Sequence, residues 1–174
     1  MMPLQEWKFH RISISRKVLV YVMVGAFFSY AASTKLAHGG GGPMGSWGLT
    51  TFESDAALDF LSQVRVEKLY PMLQSAVSLA QETYIEEDEG VRALVVGELL
   101  AAQRDGDVNH LPEMARKVLS EMKNPPPVEL VAAAKSAVER VLHSSEMRDL
   151  RAELGATEFN QWQDEVRRIL RRLQ

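Results

Sequence analysis

At 174 residues, 46% hydrophobic and 25% charged, the chain has the length and composition of one globular domain, which excludes a disordered polymer and a polytopic membrane protein. It contains no cysteine, so disulfide frameworks, thiolate zinc sites and thiol nucleophiles are excluded as well. The formal charge of −3 conceals an asymmetry, with five Lys or Arg against one acid before Met44 and 15 bases against 22 acids from there on, so the body lacks the basic face that general nucleic-acid binding needs.

Residues 1–43 read as an extension apart from the domain, and three readings fit them. A basic stretch up to Lys17, the apolar run VLVYVMVGAFFSYAA at 18–32 and the small residues Ala31, Ala32 and Ser33 have the layout of a secretory signal. As a retained anchor with its basic end in the cytoplasm the run is short, since 15 residues of helix cover about 22 Å against a hydrocarbon core of about 30 Å. The preferred reading takes Gly39 to Gly42 and Pro43 for a translated ribosome-binding site, because glycine codons all begin GG, and Met44 for the initiator. That start implies a cytoplasmic protein, whereas the other two imply export or a membrane tether.

From Ser54 onward helix follows helix, and no stretch alternates apolar and polar residues as a half-buried strand does. The expectation is an all-α domain over residues 44–174, a compact bundle of about six to seven helices. Ser54 is placed to cap the first helix, with Asp55 in its first turn and Ala57, Phe60, Leu61 and Val64 inward. Leu73, Ala76, Val77 and Ala80 form the stripe of a second, near Tyr70 to Thr83. After the acidic run Glu86, Glu87, Asp88 and Glu89 comes ALVVGELLAA, residues 93–102, apolar nearly all round and so the expected centre of the bundle. Gly97 inside it costs about 1 kcal/mol against Ala, which a close helix approach there would explain.

Arg104, Asp105, Gly106 and Asp107 mark the end of that helix. Pro112 suits the first turn of a shorter one carrying Met114, Val118 and Met122. Asn124 to Pro127 separates it from a helix of about four turns, ending near His143, with Leu130, Ala134, Ala137, Val138 and Val141 inward. Ser144 or Ser145 caps a short helix that Gly155 is placed to end in the left-handed conformation. The last helix, from about Thr157, sets Phe159, Trp162, Val166, Ile169 or Leu170, and Leu173 at helical spacing.

The most distinctive string is MGSWGLTTFESDAALDF, Met44 to Phe60. Gly45 and Gly48 flank an irregular lead-in with two aromatics, Trp47 and Phe52, and the carboxylates of Asp55 and Asp59 follow on one helical face. Trp47, Gly48, Phe52, Asp55 and Asp59 therefore make the candidate binding patch. Two carboxylates so placed could hold a hard cation or serve as general acid and base, with Trp47 as a recognition surface. The plainer account, which we prefer, gives Asp55 to the helix N-terminus, Asp59 to solvent or a nearby base, and the aromatics to the bundle end, because no third ligand or partner base stands at motif spacing.

The run at 86–89 lacks the D-x-D-x-D-G pattern of a calcium loop and reads as a solvated turn feeding charge into a helix N-terminus. His110 and His143 have no motif partner and receive no metal or proton-transfer role. Arg167, Arg168, Arg171 and Arg172 form one basic patch, read as a charged outer face opposite Trp162 and Val166 rather than as a phosphate site. From Met44 onward there is no G-x-S-x-G elbow, Walker loop or H-E-x-x-H, so no catalytic residue, metal ligand or cofactor is assigned.

These residues resemble a mostly bacterial set of small proteins, the domain of unknown function 4259, which opens with a pattern close to M-G-x-W-G-x-G-x-F-x-N-D-x-A-x-D-[FW]. Met44, Gly45, Trp47, Gly48, Phe52, Asp55, Ala57, Asp59 and Phe60 fit it in order. The later part is similar too: a proline-rich turn, a helix like PPVELVAAAKSAVERVL, S-E-x-R-x-L at Ser145 to Leu150, and a Trp-bearing last helix. Thr50 stands where the family commonly has Gly and Ser54 where it commonly has Asn, which alters the turn and its cap. The resemblance covers nearly all of 44–174 and none of 1–43, and it implies the fold and the boundaries without implying an activity.

The resulting expectation is a non-enzymatic helical protein that binds another protein, as an immunity-like or regulatory partner does. One alternative is a hydrolase or metal-assisted enzyme using Asp55 and Asp59 with Trp47 closing the site, which requires a further His, Asp or Glu to converge on them. Another is a secreted or membrane-tethered bundle, which depends wholly on residues 1–43. No cofactor and no nucleic-acid partner are expected, and a membrane only if 18–32 is a retained anchor.

Overall fold

Seven α-helices and one 3-10 turn make up the residues that the computed structural model describes, 48–65, 69–79 and 83–174. The turn, Thr51–Glu53, leads into α1 (Asp55–Gln63), followed by α2 (Leu69–Leu79), α3 (Glu87–Asp105), α4 (Glu113–Glu121), α5 (Val128–His143), α6 (Glu146–Glu153) and α7 (Ala156–Arg172). Among the described residues there is no strand, only a lone parallel bridge between Ile85 and Ser145, so the domain is all-α as its periodicity requires. Trp47, the 43/44 boundary and the apolar run at 18–32 lie outside the described residues. Among those described, no helix is long and apolar enough to cross a membrane.

The centre of the bundle is α3, which packs against every other helix and the 3-10 turn. Its residues from Gly90 to Ala102 are buried apart from Arg92, as expected of a helix apolar on all sides. A side chain at Gly97 would place its Cβ 2.9 Å from Val138 Cγ2 and 3.0 Å from Ile169 Cγ2, so the missing side chain lets α5 and α7 close on α3 from two directions. Gly97→Val is expected to destabilise the fold by about 1–3 kcal/mol through overpacking. In urea titrations the pair Gly97→Val with Val138→Ala should lose less than the sum of the two single changes, because they share one contact.

Helix boundaries follow local chemistry with a few departures. Ser145 is the serine that caps α6, its Oγ accepting from the Arg148 N–H at 3.1 Å and donating to the Val141 carbonyl at 2.6 Å. Gly155 has positive φ (115°) with ψ 167° and sits at the N-cap of α7, so it redirects the chain into the last helix instead of closing α6 in the left-handed α conformation. Pro112 is the N-cap of α4, and there Ala115 and Val118 are buried while Met114 is exposed. Of the three residues read on this helix, Val118 and Met122 are buried and Met114 faces outward. Helix α2 ends its described length at Leu79, with Ala80 outside the described residues, and Val64 is half-buried just past the end of α1.

Candidate functional site

The lead-in at 48–54 is tied to the far side of the sequence by Arg151 of α6, which is buried to 4% exposure. Its Nη2 donates to the Gly48 carbonyl at 2.6 Å. The Thr50 N–H donates to Glu53 Oε2 at 3.1 Å, closing the 3-10 turn that follows. A Cβ on Gly48 would lie 1.9 Å from Glu53 Cβ, so only glycine fits where this turn folds back on the lead-in.

Held in this way, the lead-in and the first turn of α1 overhang a cleft of about 190 Å³ whose floor comes from α3, α6 and α7. Val91, Leu94, Met147 and Val166 supply apolar walls, and Asp55, Glu87 and Glu165 supply carboxylates. Trp162 also lines it. That indole stacks on Phe159 with ring centroids 6.1 Å apart and is 2% exposed, and its buried Nε1–H has no hydrogen-bond acceptor among the described residues. A buried donor without an acceptor is uncommon and calls for a reason.

The electrostatics of the cleft are strained toward the negative. Burial pushes the Glu87 carboxyl above the usual carboxylate range, Glu146 and Asp88 push it further, and Arg151 pulls it back. Glu146 is close because its Oε2 accepts the Glu87 backbone N–H at 3.1 Å. Burial holds the Arg151 guanidinium below its usual value, against the opposing pull of Glu53 and Glu87.

Of the patch read from the sequence, Gly48 and Asp55 meet at this cleft. Phe52 instead packs half-buried against the core. Asp59 borders a different hollow of about 180 Å³, beside Asp88 and Arg92. The i,i+4 pair Asp55 and Asp59 is thus divided between two concavities, and among the described residues no group of three His, Asp or Glu gathers at metal-binding range. Glu86 and Asp88 are exposed as a solvated turn would be, whereas Glu87 is half-buried at the cleft, a correction to the reading of the acidic run.

A second polar centre joins α3 to α7, and the arginine patch is corrected by it. Glu98, 1% exposed, lies in the run read as apolar. Its carboxylate accepts from Arg168 Nη2 and, at 2.9 Å, from Arg172 Nη1. His110 Nε2 lies 3.1 Å from Glu98 Oε2 and 3.1 Å from Arg172 Nη1. Arg168 is further bound to Glu165 at 2.8 and 2.9 Å, and Arg172 to Asp105 at 2.7 and 3.0 Å. Only Arg167 and Arg171 of the four remain on the outer face. The hydrogen bonds that they donate, to Glu165 and to Asp105 respectively, are the chief cause holding both inward guanidiniums above their usual range.

The same contact carries a pH signature. The Arg172 hydrogen bonds are the largest influence holding the Asp105 carboxyl down at about 2, so its folded-state value lies below its unfolded one. Its stabilisation is present above the unfolded value of about 3.9 and is lost as the pH falls through about 2. Asp105→Asn is accordingly expected to lower Tm at neutral pH, with a gap from the parent that narrows steadily below about pH 4. A gap constant down to the acid limit would assign the loss to packing instead.

In comparisons with known proteins, a family model described as "Domain of unknown function (DUF4259)" matches residues 45–165. A search of curated proteins and a search of solved structures each gave no match.

Proposed function

The chain belongs to the DUF4259 family, a domain of unknown function, and from that premise we propose that it is a non-enzymatic interaction module, immunity-like or regulatory, that receives a segment of a partner protein in the cleft under the lead-in. The carrying observation is the cleft itself, walled by Val91, Leu94, Met147 and Val166 and bearing the carboxylates of Asp55 and Glu87. A largely apolar concavity with a few fixed polar groups is the usual form of a binding site. The cleft's ionisable lining is three carboxylates and a guanidinium bound to Gly48, with no imidazole, thiol or amine among the described lining residues. This is a set for holding a ligand by charge and hydrogen bonds.

Asp55→Trp tests the reading by filling the cleft mouth from an exposed position at the first turn of α1. Quantitative affinity capture under native expression should return a stoichiometric partner with the parent and lose it with Asp55→Trp. The Tm should fall only slightly, since a first-turn acid contributes about 0.3–1 kcal/mol. A partner retained at full stoichiometry by the blocked variant would refute the cleft as the binding surface.

A further inference from the structure

Asp105–Gly106 is the one Asp–Gly pair in the chain, and it stands where α3 ends. Arg172 of α7 grips both carboxylate oxygens of Asp105, Nε donating to Oδ2 at 2.7 Å and Nη2 to Oδ1 at 3.0 Å. An Asp–Gly bond is chemically weak, because glycine lacks the side chain that elsewhere hinders its amide nitrogen from attacking the preceding carboxyl carbon. We infer that Asp105–Gly106 is a guarded modification site, prone to spontaneous rearrangement to the isoaspartyl form, and that the Arg172 fork is its guard. In that rearrangement the Gly106 nitrogen bonds to Cγ of the Asp105 acid, and its proton leaves with the hydroxyl of the acid as water, giving a cyclic imide. One water then opens the imide at either carbonyl. The chain ends with the same atoms, its main path running either as before or through Cγ.

Each group that takes part in this step is restrained. Besides the two bonds from Arg172, Asp105 Oδ1 accepts the Asp107 N–H at 2.9 Å. The Arg172 hydrogen bonds are the chief cause holding this carboxyl at about 2, so the acid form that must lose its hydroxyl is scarce at neutral pH. The Gly106 N–H donates to the Ala102 carbonyl at 2.9 Å, which keeps the nitrogen from attack, and the helical backbone of Asp105 lacks the ψ that ring closure needs. Packing adds no shield: Gly106 is exposed at φ 73°, and a Cβ built there meets nothing within 4 Å. Hydrogen bonds therefore do the guarding. Arg172 is itself fixed in place, 13% exposed and bound also to Glu98 and to the Asp107 carbonyl. Rearrangement would move the carboxylate along the main chain and take it from the fork, weakening the clasp between α3 and α7 at this end. None of these residues lines the cleft, so the site is independent of the interaction reading.

The test incubates the full chain and its Arg172→Met and Arg168→Met variants at neutral pH, with folding checked by circular dichroism. Isoaspartyl groups are counted by enzymatic methylation and placed by electron-transfer fragmentation. Arg168→Met controls for loosening of α7, since it breaks a contact with Glu98 and leaves Arg172 on Asp105. Isoaspartate at position 105 should form at least about tenfold faster in Arg172→Met than in the parent, because the acid form becomes commoner by more than that factor as the carboxyl climbs back toward about 3.9. Arg168→Met should match the parent. If Arg172→Met does not fold, Arg172→Lys takes its place, since lysine keeps the charge without the fork that holds both oxygens, and it should raise the rate several-fold. A folded Arg172 variant no faster than the parent overturns the guard, as does an equally fast Arg168→Met. A parent that rearranges at position 105 as fast folded as in denaturing urea overturns it too.

Discussion

Glu98→Ala is expected to lower the unfolding free energy by about 3–5 kcal/mol, the range for breaking one side of a buried ion pair. The carboxylate is buried at the centre of α3 and holds Arg168, Arg172 and His110 at once. Its removal takes one carboxylate partner from each of two guanidiniums and leaves a void where the side chain stood. Arg168 keeps Glu165 and Arg172 keeps Asp105, so the loss belongs near the lower end of the range. Glu98→Gln, which keeps shape and one acceptor, should lose less, and urea titration of the three proteins measures the order. If Glu98→Ala falls within about 0.5 kcal/mol of the parent, as surface substitutions do, the network does not clamp α7 to α3.

A comparable effect is expected at Trp162, for a different reason. Trp162→Ala removes a buried α7 side chain that lines the cleft and stacks on Phe159, with a loss of about 3–5 kcal/mol. Trp162→Phe should cost much less, because the shorter ring keeps much of the apolar contact and deletes a buried donor that has no acceptor. Stability should therefore follow ring volume, and urea titration of the two variants measures the order. A Phe variant as unstable as the Ala variant would contradict the ring-packing account.

Much of the scaffold was legible because helices bury one face. Leu130, Ala134, Ala137, Val138 and Val141 on α5, and Trp162, Val166, Ile169 and Leu173 near the end of the chain, are all buried as their spacing requires. Gly97 was legible for the same reason, since an unfavourable residue in an apolar helix has to be repaid by packing. Glu98 was not, because one acid in an apolar run does not disturb its periodicity and its guanidinium partners lie 70 and 74 residues further on. Of the cleft, Gly48 and Asp55 could be read from the opening motif. Arg151 could not, because its contact with Gly48 spans 103 residues, and Trp162 read as a core residue, which it also is.

The division of labour between these two polar centres gives the account its form. The Glu98 network fixes α7 against α3, and α7 carries Trp162 and Glu165 to the cleft. Arg151 fixes the lead-in above them. A binding surface assembled from rigid elements on either side keeps its shape before the partner arrives, which lowers the ordering cost of association.

The most direct test is site-specific photo-crosslinking in cells that express the protein natively. A benzophenone side chain replaces Leu49, 40% exposed on the cleft, or Val128, 78% exposed at the start of α5 and outside the cleft lining. A discrete adduct with one protein from position 49, absent from position 128 and suppressed by Asp55→Trp, is the predicted result. The same adduct from both positions, or from position 128 alone, would contradict the claim that the protein works through this cleft.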